Sequence, residues 1–242
     1  MNNILNNISF VLVSPKTSGN IGSVARAMKN MGLRDLRVVN PVCSINEEAF
    51  KMAVNADDIL HSIKIFPDLK KALEEFNLII GATRRKGKNR QNVLTPDKAA
   101  EKTVKRAGKN KAAFVFGRED AGLLNEELDL CRYIVEIPSD SGYPSLNLSH
   151  AAVIIAYELF IKSSIKMLTE RKKLASSKEL ELMFEKMEET LLKIDFLPEN
   201  NPSHIMRTVR SIFGRAELSM RDMKIIMGMF SQINWYRGEN QG

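Results

Sequence analysis

Cysteine is scarce in this chain. Only Cys43 and Cys131 occur among 242 residues, far apart, which excludes a disulfide framework and fits a reducing compartment such as the cytoplasm. The three histidines, His61, His150 and His204, stand apart from one another and from both cysteines. A zinc or other metal mechanism therefore has no ligand cluster to rest on, and no metal is expected. No Gly-x-Gly occurs anywhere, so the dinucleotide fingerprint is missing, and a P-loop is missing with it. Long apolar runs are also lacking. The run Ala151 to Tyr157 falls far short of the roughly 20 residues that a membrane span needs. Residues 1–7 carry no basic stretch leading into an apolar core, so neither a signal peptide nor a membrane partner is expected.

What is present is cationic. Thirty-six Lys and Arg against 29 Asp and Glu give a net charge of +7, a hint of a polyanionic partner. The charge is concentrated. Arg84, Arg85, Lys86, Lys88 and Arg90 sit in a Gly-containing loop after an apolar strand, where packing has no use for them. A second run, Lys102, Lys105, Arg106, Lys109 and Lys111, follows.

Over residues 1–165, strand-like and helix-like stretches alternate. The strand-like runs are 9–13, 36–40, 63–66, 78–81, 112–116 and 133–137; the helical patterns are 21–31, 68–75, 96–106 and 125–130. Alternation of this kind predicts an α/β domain around a largely parallel sheet. Several strands are apolar throughout, as expected where helices cover both faces. A helix over 147–164 is apolar on almost every side and is expected in the core or in an interface. Residues 166–178 turn polar and aperiodic and read as a linker. Residues 179–242 carry three amphipathic patterns, at 179–194, 202–214 and 219–235, and form a small all-α module. In it, Arg207, Arg210, Arg215, Arg221 and Lys224 lie away from Ile205, Val209, Ile212 and Phe213, which makes its surface basic.

Three loops, each directly after a strand, carry the chemistry. In an open α/β sheet, ligands sit beyond the carboxyl ends of the strands. The first loop, from Ser14 through Gly19-Asn20-Ile21-Gly22, leads into a helix whose Ile21, Val24, Ala25 and Met28 form one apolar stripe. Arg26 projects opposite that stripe, as a functional side chain or as a solvated surface arginine. The second is Phe116-Gly117-Arg118-Glu119-Asp120-Ala121-Gly122-Leu123, a strand end turning on glycines that flank two acids, or an ordinary turn. The third runs from Ile137 through Tyr143-Pro144-Ser145-Leu146-Asn147, where Ser145 or Asn147 could also cap the helix that follows.

Together, in this order and spacing, the loops resemble the three signature motifs of the SPOUT methyltransferases, in the TrmH-like 2′-O-ribose branch and closest to its TrmJ group. Phe196-Leu197 through Asn201-Pro202 and Arg215-Ala216-Glu217-Leu218 resemble that group's C-terminal extension, so the likeness spans nearly the whole chain. The resemblance implies a C-terminal trefoil knot, a homodimer with active sites at the subunit interface, and methyl transfer from S-adenosylmethionine to a tRNA ribose, at cytidine or uridine 32 of the anticodon loop. A target in ribosomal RNA, or a catalytically silent RNA-binding protein, are the alternatives. Carried over by position, S-adenosylmethionine would meet Ala82, Thr83, Arg84, Gly117, Ile137, Pro144, Ser145 and Leu146. Catalytic or RNA-orienting roles would fall to Asn20, Arg26, Glu119, Ser145 and Asn147. The cations expected to meet RNA are Arg85, Lys86, Lys88, Arg90, Arg207 and Arg210. Ala82 and Pro144 stand where many relatives carry a small hydroxyl residue, so contacts there would run through the main chain. A guanidinium normally stays protonated and is a poor general base. Arg26 is therefore expected to hold a phosphate and the developing alkoxide.

Overall fold

A computed structural model describes residues 4–84, 92–143, 145–164, 173–198 and 200–239. After a short 3-10 turn, the first part of the chain alternates β1 (Ile8–Val13), α1 (Ser18–Asn30), β2 (Asp35–Val39), α2 (Glu47–Ala53), α3 (Asp57–His61), β3 (Lys64–Phe66), α4 (Leu69–Leu73) and β4 (Leu78–Ala82). It continues through β5 (Val93–Leu94), α5 (Pro96–Arg106), β6 (Ala112–Phe116), α6 (Asn125–Asp129), β7 (Tyr133–Val135) and α7 (Leu148–Ser164). Among the described residues, all seven strands pair in parallel, in the order β3-β2-β1-β6-β4-β7-β5. The expected parallel α/β sheet is therefore present.

Strand periodicity explains the layers. Phe10 and Leu12 of β1 point to the face covered by α1, α2, α3, α5 and α7, while Val11 and Val13 point to the face packed with Leu69, Leu73, Phe76 and Leu128. Every residue of β1 and β6 is buried, which is why these strands lack polar alternation.

The expectation for α7, core or interface, leaves open which of its sides the chain itself covers. Only the stripe Leu148, Ala152, Ile155, Ala156 and Leu159 is buried, while Tyr157, Phe160 and Ile161 are 50%, 40% and 37% exposed. The stretch 166–178 expected as a linker overlaps the next helix at its last two residues. Residues 165–172 lie outside the described part, but Leu174 and Ala175 are buried, and a helix begins at Ser177. That helix, α8 (Ser177–Lys193), packs with α9 (Pro202–Arg215) and α10 (Met220–Glu239) around Met183, Phe184, Met187, Met206 and Met223, a core of its own.

The seam between this module and the sheet domain is polar and specific. Ser177 N–H donates to the Phe76 carbonyl at 2.8 Å, and Asn77 donates to the Leu174 carbonyl at 2.8 Å. At its centre Glu217 accepts from Arg106 Nε at 2.7 Å, Lys102 Nζ at 3.1 Å and the Tyr133 hydroxyl at 2.5 Å. Part of the second basic run is thus turned inward, Lys102 and Arg106 serving Glu217, while Lys105 pairs with Glu101 and Lys111 with Glu75 at the surface. Burial pushes the Glu217 carboxyl up, but Tyr133, Lys102 and Arg106 outweigh it and hold the group below the ordinary glutamate value of 4.5. A lowered folded-state pKa means stability that is present above about pH 4.5 and is lost as pH falls through the folded value. Glu217→Gln is therefore expected to cost roughly 2 kcal/mol at neutral pH, the scale of hydrogen bonds to a charged group. The difference from wild type should narrow on acidification below pH 4.5, as read by thermal melts across pH.

Candidate functional site

The register of the central strands sets the site. Leu12 of β1 pairs with Phe116 of β6, Phe116 with Ala82 of β4, and Ala82 with Val135 of β7. Four neighbouring strands therefore end at one level, and their following loops share the carboxyl edge of the sheet, where such folds place ligands. Ser14, which follows directly on β1, has φ of +46°, a conformation that costs a non-glycine residue energy and is kept where the surroundings demand it.

Glu119 is the hub of this edge. Its carboxylate accepts from the Lys16 main-chain N–H at 3.2 and 3.1 Å, from that of Thr17 at 3.3 Å, and from Asn20 Nδ2 at 3.0 Å. Asn20 Oδ1 in turn accepts from Asn147 Nδ2 at 3.2 Å. Asn147 also caps α7, its Oδ1 accepting from the N–H and hydroxyl of Ser149, both at 2.8 Å. One chain of hydrogen bonds thus ties together the loops after β1, β6 and β7. It unites three of the five residues expected to be catalytic. Ser145 is exposed in the loop before α7 and stands outside this chain. Arg26 is exposed on α1, six residues past Asn20 and so about 9 Å along the axis, and its side chain meets no partner among the described residues.

The loop after β6 is closed by its glycines. Arg118 and Gly122 exchange main-chain hydrogen bonds at 3.1 and 2.8 Å, and Gly122 adopts φ of +64°. A Cβ on Gly117 would stand 2.1 Å from the Gly122 carbonyl carbon and 2.3 Å from the Leu123 nitrogen, so no side chain fits there. Two contacts that the motifs alone do not announce hold this loop. Arg118 forks onto Glu127 at 3.0 Å twice and reaches Ser14 Oγ at 3.4 Å. Lys16 Nζ meets Asp120 at 2.5 Å and holds that carboxyl below the ordinary aspartate range.

Of the residues expected at S-adenosylmethionine, Ala82 closes β4 and Thr83 follows it, Gly117 follows β6, and Ile137 lies just past β7, all at the shared edge. Thr83 N–H donates to the Val135 carbonyl at 3.1 Å, which binds the first and last of these loops together. Small or partly open residues at this lip fit a group held through main-chain atoms. Arg84, Ser145 and Leu146 are exposed nearby in sequence, while Pro144, Arg85, Lys86, Lys88 and Arg90 lie outside the described residues.

In the helical module, Arg207 is exposed, 3.9 Å from Asp129. Arg210 is not part of the outer basic face. It forks onto Glu181 at 2.6 and 3.0 Å and lies over the Phe184 ring, because α8 covers the side of α9 that a single-helix reading leaves open. Among the described residues no cluster of three potential metal ligands occurs, and no helix is long and apolar enough to cross a membrane.

Comparison with known proteins adds a family to this geometry. Residues 7–157 match the model of the SpoU rRNA Methylase family, and residues 178–241 match that of the tRNA methyltransferase TrmJ C-terminal domain. The chain is 36% identical to the tRNA (cytidine/uridine-2'-O-)-methyltransferase TrmJ of Escherichia coli strain K12 over 236 residues, which is 95% of this chain and 96% of that protein. It is 37% identical to the tRNA (cytidine-2'-O-)-methyltransferase TrmJ of Methanocaldococcus jannaschii over 227 residues, 92% of this chain and 98% of that one. The crystal structure of TrmJ from Z. mobilis ZM4 superposes with a TM-score of 0.81 at 30% identity, covering 93% of this chain and 98% of the other.

Proposed function

The chain belongs to the SpoU rRNA Methylase family and ends in a TrmJ C-terminal domain, and on that premise we propose that it methylates the 2′-hydroxyl of a tRNA ribose, cytidine or uridine 32 of the anticodon loop, using S-adenosylmethionine. The observation that carries the reading is the Glu119–Asn20–Asn147 chain at the carboxyl edge, beside the small-residue lip of Ala82 and Gly117. When bound, the sulfonium of the cofactor supplies the methyl group. The residues of this chain supply alignment. Glu119 and Asn20 fix the loops after β1 and β6 relative to each other, and Asn147 fixes the start of α7, so an acceptor oxygen meets a preset geometry. Arg26 holds the phosphate next to the acceptor ribose and stabilises the alkoxide as the hydroxyl passes its proton to water.

Arg26 stands off the hydrogen-bonded chain, on an exposed face, and α7 presents Tyr157, Phe160 and Ile161 to the outside. Both features suit a homodimer in which Arg26 completes a site across the interface, with the apolar face of α7 covered by the second subunit. A trefoil knot through 116–123 and 137–148, and a place in the cytoplasm, complete the reading. The test is methylation of unmodified tRNA by the purified protein, with ribose methyl groups mapped by nucleotide. A single new 2′-O-methyl group at position 32 is the expected result. Tight tRNA binding without any methyl transfer would instead favour the silent RNA-binding alternative, and transfer confined to ribosomal RNA would move the target.

The helical module is the second RNA contact. Arg221 and Lys224 are exposed on α10, and their double replacement by alanine is expected to weaken tRNA binding with the fold intact. Each lost phosphate contact should make the log–log salt dependence shallower by roughly 0.7 to 0.9. An unchanged slope, measured by filter binding over a salt series, would remove these two residues from the interface.

A further inference from the structure

At the opposite, amino-terminal edge of the sheet lies a cleft between the two domains, lined in part by Phe76, Ile79, Arg132, Phe184, Arg210 and Phe213. Arg132, just before β7, is 9% exposed, and both of its terminal nitrogens are buried without a hydrogen-bond partner among the described residues. Its main chain is pinned: the N–H donates to the Ile79 carbonyl at 2.9 Å, and the carbonyl accepts from Asn92 at 3.4 Å. Its stem runs past α9, where a Cβ on Gly214 would sit 4.0 Å from Arg132 Cγ.

The fold treats its other deeply buried arginine differently. Arg37, 4% exposed, is taken up by Asp35, Glu75 and the Ala72 carbonyl, with the Phe66 and Phe76 rings against it. The acids near Arg132 are already engaged. Glu181 holds Arg210, and Glu217 is shared by Arg106, Lys102 and Tyr133. Glu217 and Arg106 are close enough to act on the Arg132 charge, and burial pulls its pKa below the usual guanidinium value. Three cations thus gather around one carboxylate at this seam. A buried guanidinium is stable when its fork is filled, and leaving it unfilled is costly.

We propose that Arg132 anchors an anion site at the domain seam, which takes a phosphate group on the guanidinium fork and thereby fastens the helical module to the sheet domain. A planar fork matches two phosphate oxygens at once; the other charges at the seam, Asp129, Glu181 and Glu217 against Arg210, Lys102 and Arg106, balance one another and leave the Arg132 cation to be met. The group is either free inorganic phosphate or a phosphodiester of RNA. The site stands apart from the carboxyl edge, so its fate is independent of the proposed methyl transfer.

The experiment is thermal melting of the full-length protein against inorganic phosphate, with ionic strength held constant by chloride. A saturable rise in Tm is expected for wild type. Arg132→Met should melt at or above wild type without phosphate, since an unpaired buried cation is gone, and should show no phosphate response. Arg132→Lys keeps the charge but loses the fork, so half-saturation should need about tenfold more phosphate or beyond. Tight tRNA binding that weakens in phosphate for wild type, but not for Arg132→Met, would assign the site to the RNA backbone. Unaltered tRNA affinity alongside the Tm rise would assign it to free phosphate. A wild-type Tm that follows phosphate no differently from chloride overturns the proposal, as does an equal response in Arg132→Met. The wild-type titration decides the matter even if the methionine variant fails to fold.

Discussion

Arg26→Ala is expected to yield a folded protein that still binds S-adenosylmethionine but methylates tRNA about a hundredfold more slowly, or worse, the scale of losing one transition-state donor. Folding should survive because Arg26 is exposed on α1 and meets no described partner, while Ile21, Val24, Ala25 and Met28 on the opposite side carry the packing. Cofactor affinity should survive because the small-residue lip lies on β4, β6 and β7 and not on α1. Arg26→Lys should restore little, since a point charge does not reproduce a planar fork that can span a phosphate and an alkoxide. Single-turnover methylation at saturating tRNA, run beside thermal melting and cofactor titration, separates the outcomes. A folded variant with near-normal turnover would make Arg26 an ordinary solvated arginine. A variant that melts early, or that elutes as a monomer where wild type is a dimer, would assign the side chain to the subunit contact.

Where local signals are strong, the fold is legible in the amino-acid sequence. Pro96–Arg106 starts on a proline at the first helical position, and Ala112–Phe116 is an unbroken apolar run; both elements have the bounds expected of them. The elements that escape such reading are short. Helices Glu47–Ala53 and Asp57–His61 complete too few turns for an apolar period to show, and the strand Val93–Leu94 has two residues. In α7, apolar on almost every side, the pattern does not say which side its own chain covers, and only one stripe is buried.

The site shows the same division. That three loops after strands come together is visible in the sequence, because α/β alternation places those loops at one edge of a parallel sheet. Which side chains meet is not. The bond from Asn20 to Glu119 spans 99 residues and that from Asn147 to Asn20 spans 127, and nothing local encodes either. Long-range closure also explains the error at Arg210, which the pattern of α9 alone places on the free surface but which Glu181 of α8 captures. Arg118 sits inside the second motif in plain view, yet its role as a clamp depends on Glu127 and Ser14, which no spacing rule connects.

Glu119→Ala is expected to be the second crippling change, for a reason unlike that of Arg26. The carboxylate collects the main-chain N–H groups of Lys16 and Thr17 and the Asn20 amide. Lys16 and Thr17 are exposed, so water can satisfy those donors once the carboxylate is gone, and the stability cost should stay near ~1 kcal/mol. Geometry has no such substitute. Without Glu119 the loops after β1 and β6 lose their common anchor, Asn20 loses the acceptor that orients its amide, and Asn147 then holds a side chain free to turn. Alignment of an acceptor within a fraction of an ångström is where effective molarity comes from, so turnover should fall by about a hundredfold or more. Glu119→Gln is the sharper comparison. It keeps one oxygen as acceptor but points an NH2 group at donors, so it should recover thermal stability more fully than activity. Its kcat should stay low while the KM for tRNA changes little, because RNA affinity comes from cations elsewhere. Crystals of the two variants would show the loop after β1 displaced in each. Full activity in Glu119→Gln would mean that the carboxylate charge is dispensable and that a single acceptor suffices to hold the edge together.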